Sequence, residues 1–351
     1  MIKGFNTDCS TKSLSMPLII QIDALESTQL LNIGNIMRSI PLEPSAKQAL
    51  DDIIKSHSFL TLTDSKTYYP DSQGGGLPLL LVNTEYCSAV ISLQGAQLLE
   101  YKSDSFDPLL WLSPNCNFTP GVALRGGVPL CLPWFGVHPT DKQKPKHGFA
   151  RNLFWQLAEA HSRMDGSVEL EFLFTSEANE LFPYDFSVEL RMILGDSATL
   201  EMTVNNTDSE PFDFSWAMHN YYRVFNLQQT RVKGLSDKTY KDNLEGLIEK
   251  YQQDDVNFMV PLDRVYPNIE ESLVIDLGDA SQQVIHIQHD NCPSVVVWNP
   301  GNEAAAKIED IGEGQEAYYV CVERGAVMQE AWHLIAGASA GASMSFKAVS
   351  K

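Results

Sequence analysis

The sequence predicts a mainly β protein, a large antiparallel sandwich preceded by a small helical N-terminal appendage. Three observations carry this. Val168, Leu170, Phe172 and Phe174 alternate with Glu169, Glu171 and Leu173, and Val188, Leu190, Met192 and Leu194 alternate with Glu189, Arg191 and Ile193. Period 2 is the mark of a strand with one face buried. Gly195-Asp196-Ser197 then turns the chain, and Ala198, Leu200, Met202 and Val204 resume the alternation, which makes a hairpin. Beyond about residue 60 long helical periodicity is absent, and there is no dinucleotide fingerprint, P-loop or fixed-period repeat.

The first 60 residues follow a different pattern. Leu30, Leu31, Ile33, Ile36 and Met37 recur at helical spacing within 24–38. After the Pro41/Pro44 break, Ser45 is placed to cap a short helix running through Ile53 and Ile54. Residues 1–60 are therefore assigned to the appendage and 61–351 to the sandwich. Gln73-Gly74-Gly75-Gly76 is a turn, and 295–298, 318–322 and 344–349 are further strands.

A chain of 351 residues that is 44% hydrophobic and 20% charged has material for a large core in one or two domains. Its net charge of -20 argues against nucleic acid, whose binding rests on cation–phosphate contacts, and against anionic membranes. The cysteines Cys9, Cys87, Cys116, Cys131, Cys292 and Cys321 show no zinc spacing and suit free thiols in the cytoplasm. The N-terminus does not have the form of a signal peptide, and no apolar run nears the roughly 20 residues that span a bilayer.

Against this acidic background, 125–151 is basic: Arg125, Lys142, Lys144, Lys146 and Arg151 face a single acid, Asp141. Lys142 and Lys144, flanking Gln143, suit a solvated loop. Arg125 and Arg151 sit among glycines and aromatics, where a planar guanidinium fork can hold a small anion. Gly126 and Gly127 would let the backbone approach that ligand closely. In 212–219, Phe212, Phe214, Trp216 and Met218 form one face of a strand, with Asp213, Ser215, Ala217 and His219 on the other. An imidazole at the strand's end suits proton transfer near neutral pH, and equally a structural role. Glu323 ends the apolar run Tyr318-Tyr319-Val320-Cys321-Val322, where desolvation would raise its pKa, unless it points to water. Asp263, in Leu262-Asp263-Arg264-Val265-Tyr266, is a third candidate or part of a surface turn. Trp298 could stack on a sugar, although base rates favour the core.

Taken in order, Arg125-Gly-Gly-Val-Pro, Pro133-Trp-Phe-Gly, His147-Gly-Phe-Ala-Arg151, Met218-His219-Asn-Tyr-Tyr, Asp263-Arg-Val-Tyr, Val297-Trp-Asn-Pro and Cys321-Val-Glu323 resemble the glucose-6-phosphate 1-epimerases of the aldose 1-epimerase superfamily. The resemblance runs from about residue 80 to the C-terminus. It implies a galactose-mutarotase-like β-supersandwich and the interconversion of hexose 6-phosphate anomers. It also implies His219 and Glu323 as catalytic acid and base, and Arg125, Lys146, His147, Arg151 and Asp263 as substrate-binding residues. Neither metal nor cofactor is implied, and the partner implied is a small hexose phosphate. Lys146, Asn220 and Arg324 depart from the family's usual residues, and Arg324 would place a second cation beside the base. The rivals are an aldose 1-epimerase for unphosphorylated sugars, a glycoside hydrolase, which needs two carboxylates, and a non-catalytic sugar-phosphate-binding protein.

Overall fold

The computed structural model describes residues 40–259 and 261–351. The helix expected over 24–38 lies outside the described residues. Among the described residues the first element is helix α1, Pro44–Ser56. Pro44 stands in its first turn, where a missing N–H costs nothing and a fixed φ starts the helix. Ser45 is therefore inside the helix and does not cap it: Glu43 holds the cap position, without a side-chain cap bond. Leu50 is fully buried, and Ile53 and Ile54 pack beside it against the main core, which also takes in Ile40. Thus the last part of the segment assigned to the appendage packs on the sandwich.

Four strands form a meander: β1 (Leu60–Asp64), β2 (Pro78–Asn83), β3 (Cys87–Ser92) and β4 (Gln97–Ser103). The short strand β5 (Leu130–Cys131) follows a long irregular passage. The predicted alternating segments are β7 (Val168–Ser176), β8 (Phe186–Leu194) and β9 (Ala198–Asn206), joined antiparallel, with β6 (Gln156–Ser162), a strand not predicted, pairing with β7. Burial alternates residue by residue along β7, β8 and β9, as the hydrophobic pattern requires.

The remaining strands vary in length. They are β10 (Phe212–Phe214), β11 (Trp216–Met218), β12 (Tyr221–Arg223), β13 (Arg231–Lys233), β14 (Thr239–Asp242), β15 (Ile248–Tyr251) and β16 (Val256–Asn257). Then come β17 (Leu262–Tyr266), β18 (Leu273–Asp276), β19 (Gln283–Asp290), β20 (Ser294–Asn299), β21 (Tyr319–Ala326), β22 (Trp332–Leu334) and β23 (Ser339–Ser350). A nine-stranded sheet runs β16-β13-β18-β19-β23-β9-β8-β7-β6, and an eight-stranded sheet runs β15-β14-β17-β20-β21-β11-β5 with β12 also on β21. Side chains of both sheets, such as Phe172, Leu190 and Met202 from one and Met218, Val297 and Val322 from the other, share one hydrophobic core.

Two local expectations are corrected. The strand over 212–219 breaks at Ser215: β10 pairs with β22, and β11 pairs with β21 and β5. Ser215 anchors the crossing, its N–H donating to Pro133 O at 3.1 Å and its Oγ accepting from the Phe135 N–H at 3.0 Å. The facing is nonetheless as predicted, with Phe212, Phe214, Trp216 and Met218 in the core. Gly126 and Gly127 serve chain packing, not a ligand. A Cβ on Gly126 would stand 2.5 Å from Trp111 O, and one on Gly127 would stand 2.2 Å from Leu98 O. Both glycines also have φ in the left-handed region, at 121° and 64°.

Candidate active site

β21 is buried along its whole length because both its faces are covered. Val320, Val322 and Arg324 turn one way. Tyr319, Cys321 and Glu323 turn the other, and Glu323 reaches the lining of a cavity of about 670 Å³. Register sets the neighbours. Asp263 pairs with Trp298 and Trp298 with Cys321; one step along, Val265 pairs with Val296 and Val296 with Glu323. Glu323 therefore emerges among apolar side chains, the cluster of Ala217, Val265, Val296 and Val327 with Phe135 packed on it. It is 1% exposed. Burial pushes its carboxyl well above the ordinary range, Asp263 adds to the rise, and Arg151 opposes it.

His219 follows the end of β11, fixed by its N–H donating to Pro129 O at 2.9 Å. Its ring stacks on Tyr221 at 4.8 Å with 7° between planes, and meets Trp298 and His147 edge-on at 5.9 and 5.6 Å. Nε2 stands 3.4 Å from Glu323 Oε1. His219 Nδ1 and Glu323 Oε2 are buried without a hydrogen-bond partner among the described residues. Burial holds His219 well below the usual imidazole value, helped by His147, Arg151 and Arg125. Unmet polar capacity on both members of a buried pair is rare where a side chain only supports the fold.

His147 is held by two bonds to one residue: Gly136 N–H donates to its Nδ1 at 3.3 Å, and its own N–H donates to Gly136 O at 2.8 Å. With Nδ1 accepting, the proton of the neutral ring falls on Nε2. Neutrality follows from a pKa pushed down to about 3 by burial and by Arg151, Arg125 and Lys146. Asp263 lies in β17, not in a surface turn, and accepts from Asn243 Nδ2 at 2.7 Å. Its carboxyl is also raised, first by burial.

The three expected cations occupy different places. Arg125 is in the cavity wall, its Nε donating to Asp310 Oδ2 at 3.1 Å and its Nη1 to the Tyr221 hydroxyl at 2.9 Å. Lys146 lines the mouth and makes no ion pair among the described residues. Arg151 stands outside the lining, with Nη2 donating to Lys146 O at 3.0 Å and Nε buried without a hydrogen-bond partner among the described residues. Its charge still reaches His147, His219 and Glu323. Arg324, expected beside the base, faces the opposite side of the sheet, where its guanidinium donates to the backbone carbonyls of Ile269, Cys292 and Glu271. Trp298, which base rates favoured for the core, is half-buried and lines the cavity. Asn243 and Asp310 were not foreseen. Each touches its partner only through the fold, and neither lies in a recognisable motif.

Cys87, Cys116, Cys131, Cys292 and Cys321 are buried free thiols. Among the described residues no helix is long and apolar enough to cross a membrane.

Residues 78–347 match the aldose 1-epimerase family, and the chain belongs to that family. A candidate glucose-6-phosphate 1-epimerase of Cenchrus ciliaris is 33% identical over 260 residues, 71% of this chain and 78% of the relative. The crystal structure of a candidate mutarotase from Salmonella typhimurium has a TM-score of 0.73 at 30% identity, covering 78% of this chain and 91% of that one. A galactose mutarotase-like protein of Lactobacillus casei, at 15% identity and a TM-score of 0.59 over 77% of this chain and 100% of its own, shares the fold. The expected galactose-mutarotase-like architecture is thus the observed one.

Proposed function

We propose that this enzyme interconverts the α and β anomers of a hexose 6-phosphate, with glucose 6-phosphate, the sugar named for the plant relative, as substrate. The observation that carries the reading is the buried His219–Glu323 pair, 3.4 Å apart on the floor of the cavity. Anomerisation needs a proton taken from the C1 hydroxyl and a proton given to the ring oxygen. The ring opens, the C1–C2 bond turns, and the ring recloses with the two roles exchanged. A carboxylate whose proton affinity burial has raised is an avid base, and an imidazolium whose affinity burial has lowered is an avid acid. The pair works while it holds one proton, shared between Glu323 and His219. Asp263 and the Nε2–H of His147 suit sugar hydroxyls, and Trp298 offers an aromatic edge to the ring.

Arg125 and Lys146 suit the phosphate, as charge-assisted donors in the wall and at the mouth. One observation favours the neutral-sugar reading instead: Arg125 already has a carboxylate partner in Asp310. The buried free thiols suit a reducing compartment such as the cytoplasm. Anomerisation of α-glucose 6-phosphate and α-glucose, each followed by polarimetry, tests the assignment. A kcat/KM at least about tenfold higher for the phosphorylated sugar is expected, equivalent to roughly 1.4 kcal/mol. Equal values would make the enzyme an aldose 1-epimerase for free sugars. No acceleration of either sugar would remove the catalytic reading.

A further inference from the structure

The cationic wall of the cavity is joined to the His219–Glu323 pair through one side chain. Arg125 Nη1 donates to the Tyr221 hydroxyl at 2.9 Å, and the Tyr221 ring lies flat against His219 at 4.8 Å. Asp310 holds Nε at 3.1 Å, so two edges of the guanidinium are fixed, and Nη2 makes no hydrogen bond among the described residues. Tyr221 is itself locked: it is 2% exposed and pairs with Cys321 across the sheet. Arg125, Tyr221, His219 and Glu323 are thus successive neighbours, leading from the wall to the base.

The charges around the pair are unevenly placed. His219 is faced by Glu323, His147 and Tyr221, and feels Arg151 and Arg125. Glu323 is faced by His219, with Asp263 and Arg151 as the charges that bear on it. Arg125 is linked to His219 through Tyr221, and among the described residues no hydrogen bond or ion pair joins it to Glu323. An anion that offsets it favours a proton on His219 more than a proton on Glu323.

We propose, building on the phosphate reading above, that Arg125 and Tyr221 couple phosphate binding to catalysis: a dianion on Arg125 moves the pair's proton from Glu323 Oε1 to His219 Nε2. The O–H bond of the carboxylic acid breaks and the N–H bond of the imidazolium forms, with no proton gained or lost overall. Substrate binding thereby generates the carboxylate base and the imidazolium acid in one step. Tyr221 is a positioning residue in this scheme, since it holds His219 against the arginine that senses the anion.

The experiment supplies the substrate in two pieces. Mutarotation of α-glucose is followed by polarimetry with and without inorganic phosphate, and the rate in the same buffer without protein is subtracted. Saturating phosphate is expected to raise kcat/KM on glucose at least about tenfold, or roughly 1.4 kcal/mol, and to move the acid limb of the pH profile upward. Tyr221→Phe keeps the ring and loses the hydroxyl, so its activation ratio should fall toward one. If the wild type prefers glucose 6-phosphate to glucose but gains nothing from added phosphate, the coupling is wrong and the phosphate reading stands. If it shows no such preference, the phosphate reading itself fails. Activation of Tyr221→Phe equal to wild type removes Tyr221 from the relay. Should that variant fail to fold by circular dichroism, the wild-type activation ratio and pH profile decide alone.

Discussion

Glu323 and Arg324 are adjacent in β21, 1% and 0% exposed, and they project from opposite faces of one sheet. Taking either charge out of water is costly. On the core side the cost is met by geometry: Arg324 Nη1 donates to Ile269 O at 3.0 Å and Cys292 O at 3.5 Å, and Nη2 donates to Glu271 O. Among the described residues only its Nε lacks a partner. Burial lowers its pKa only to about 10, so it stays charged at neutral pH and ties three carbonyls to the sheet. On the cavity side the carboxylate has no such support. Its Oε2 is unpartnered, His219 stands at 3.4 Å, and its pKa is driven upward. Burial is common to both residues. On the proposed mechanism, what separates the structural charge from the reactive one is whether the fold satisfies it.

The largest expected effect comes from the unsatisfied side. Glu323→Gln keeps the shape and cannot take a proton, so turnover should fall by roughly 10²–10⁴-fold, the usual worth of a general base. Polarimetry on glucose 6-phosphate measures it, and near-wild-type turnover would remove Glu323 from the reaction. If Glu323 and His219 act as a unit, adding His219→Asn should cost little more. Stability should move the other way. Above the ordinary carboxyl value of 4.5 the unfolded chain has released this proton while the folded chain retains it. Wild-type stability therefore falls as pH rises through that window, up to the raised folded value. Gln does not titrate, so the variant should gain on wild type as pH increases, read by urea denaturation at several pH values.

Arg324→Met tests the satisfied side. Removing the guanidinium leaves buried carbonyls unpaired, at about 1–3 kcal/mol for each such group. A loss of at least about 2 kcal/mol in urea denaturation is expected, with kcat/KM of the folded protein within a few-fold of wild type. A collapse of activity with stability intact would mean that Arg324 tunes Glu323 after all and that the two faces are not independent.

The sequence made the two faces of these strands visible wherever alternation was clean. Along β7, β8 and β9 and through 212–219 it identified which side chains meet the core, and the ordered motifs singled out His219 and Glu323. It missed features set by contacts distant in sequence. Asp310 reaches Arg125 across 185 residues, from a loop with no pattern of its own. The role of Gly126 and Gly127 depends on which backbones cross them, so their local context suggested a ligand where Trp111 and Leu98 stand. The break at Ser215 is invisible to periodicity because the facing continues unchanged while the pairing partner switches.

Arg151 lies between the two regimes: outside the cavity lining, yet charged and close enough to bear on both members of the pair. Its charge lowers the proton affinity of His219 and of Glu323 alike. In the proposed mechanism the pair holds one proton, so activity should fade in acid as the pair gains a second and in alkali as Glu323 loses its own. Arg151→Ala raises both affinities. Both limbs of the kcat/KM profile should therefore move to higher pH, with a modest change at the plateau. Unmoved limbs together with a KM for glucose 6-phosphate raised more than roughly tenfold, about 1.4 kcal/mol, would make Arg151 a direct phosphate ligand instead.

The smallest effect is expected at the mouth. Lys146 is exposed there and solvated, so it has neither the burial of Glu323 nor the fixed partners of Arg324. A solvated lysine acts on an incoming dianion as a point charge, and charges at the rim of a site govern encounter and salt dependence more than tight holding. Lys146→Ala should raise KM for glucose 6-phosphate about two- to fivefold, roughly 0.4–1 kcal/mol, and leave kcat near wild type. The difference should shrink as ionic strength rises and the Debye length falls below about 8 Å. Turnover of unphosphorylated glucose provides the contrast, because a neutral sugar feels no steering. A salt-independent loss, or an equal loss on both sugars, would place Lys146 in direct contact with the sugar and extend the reactive side of the sheet out to the mouth.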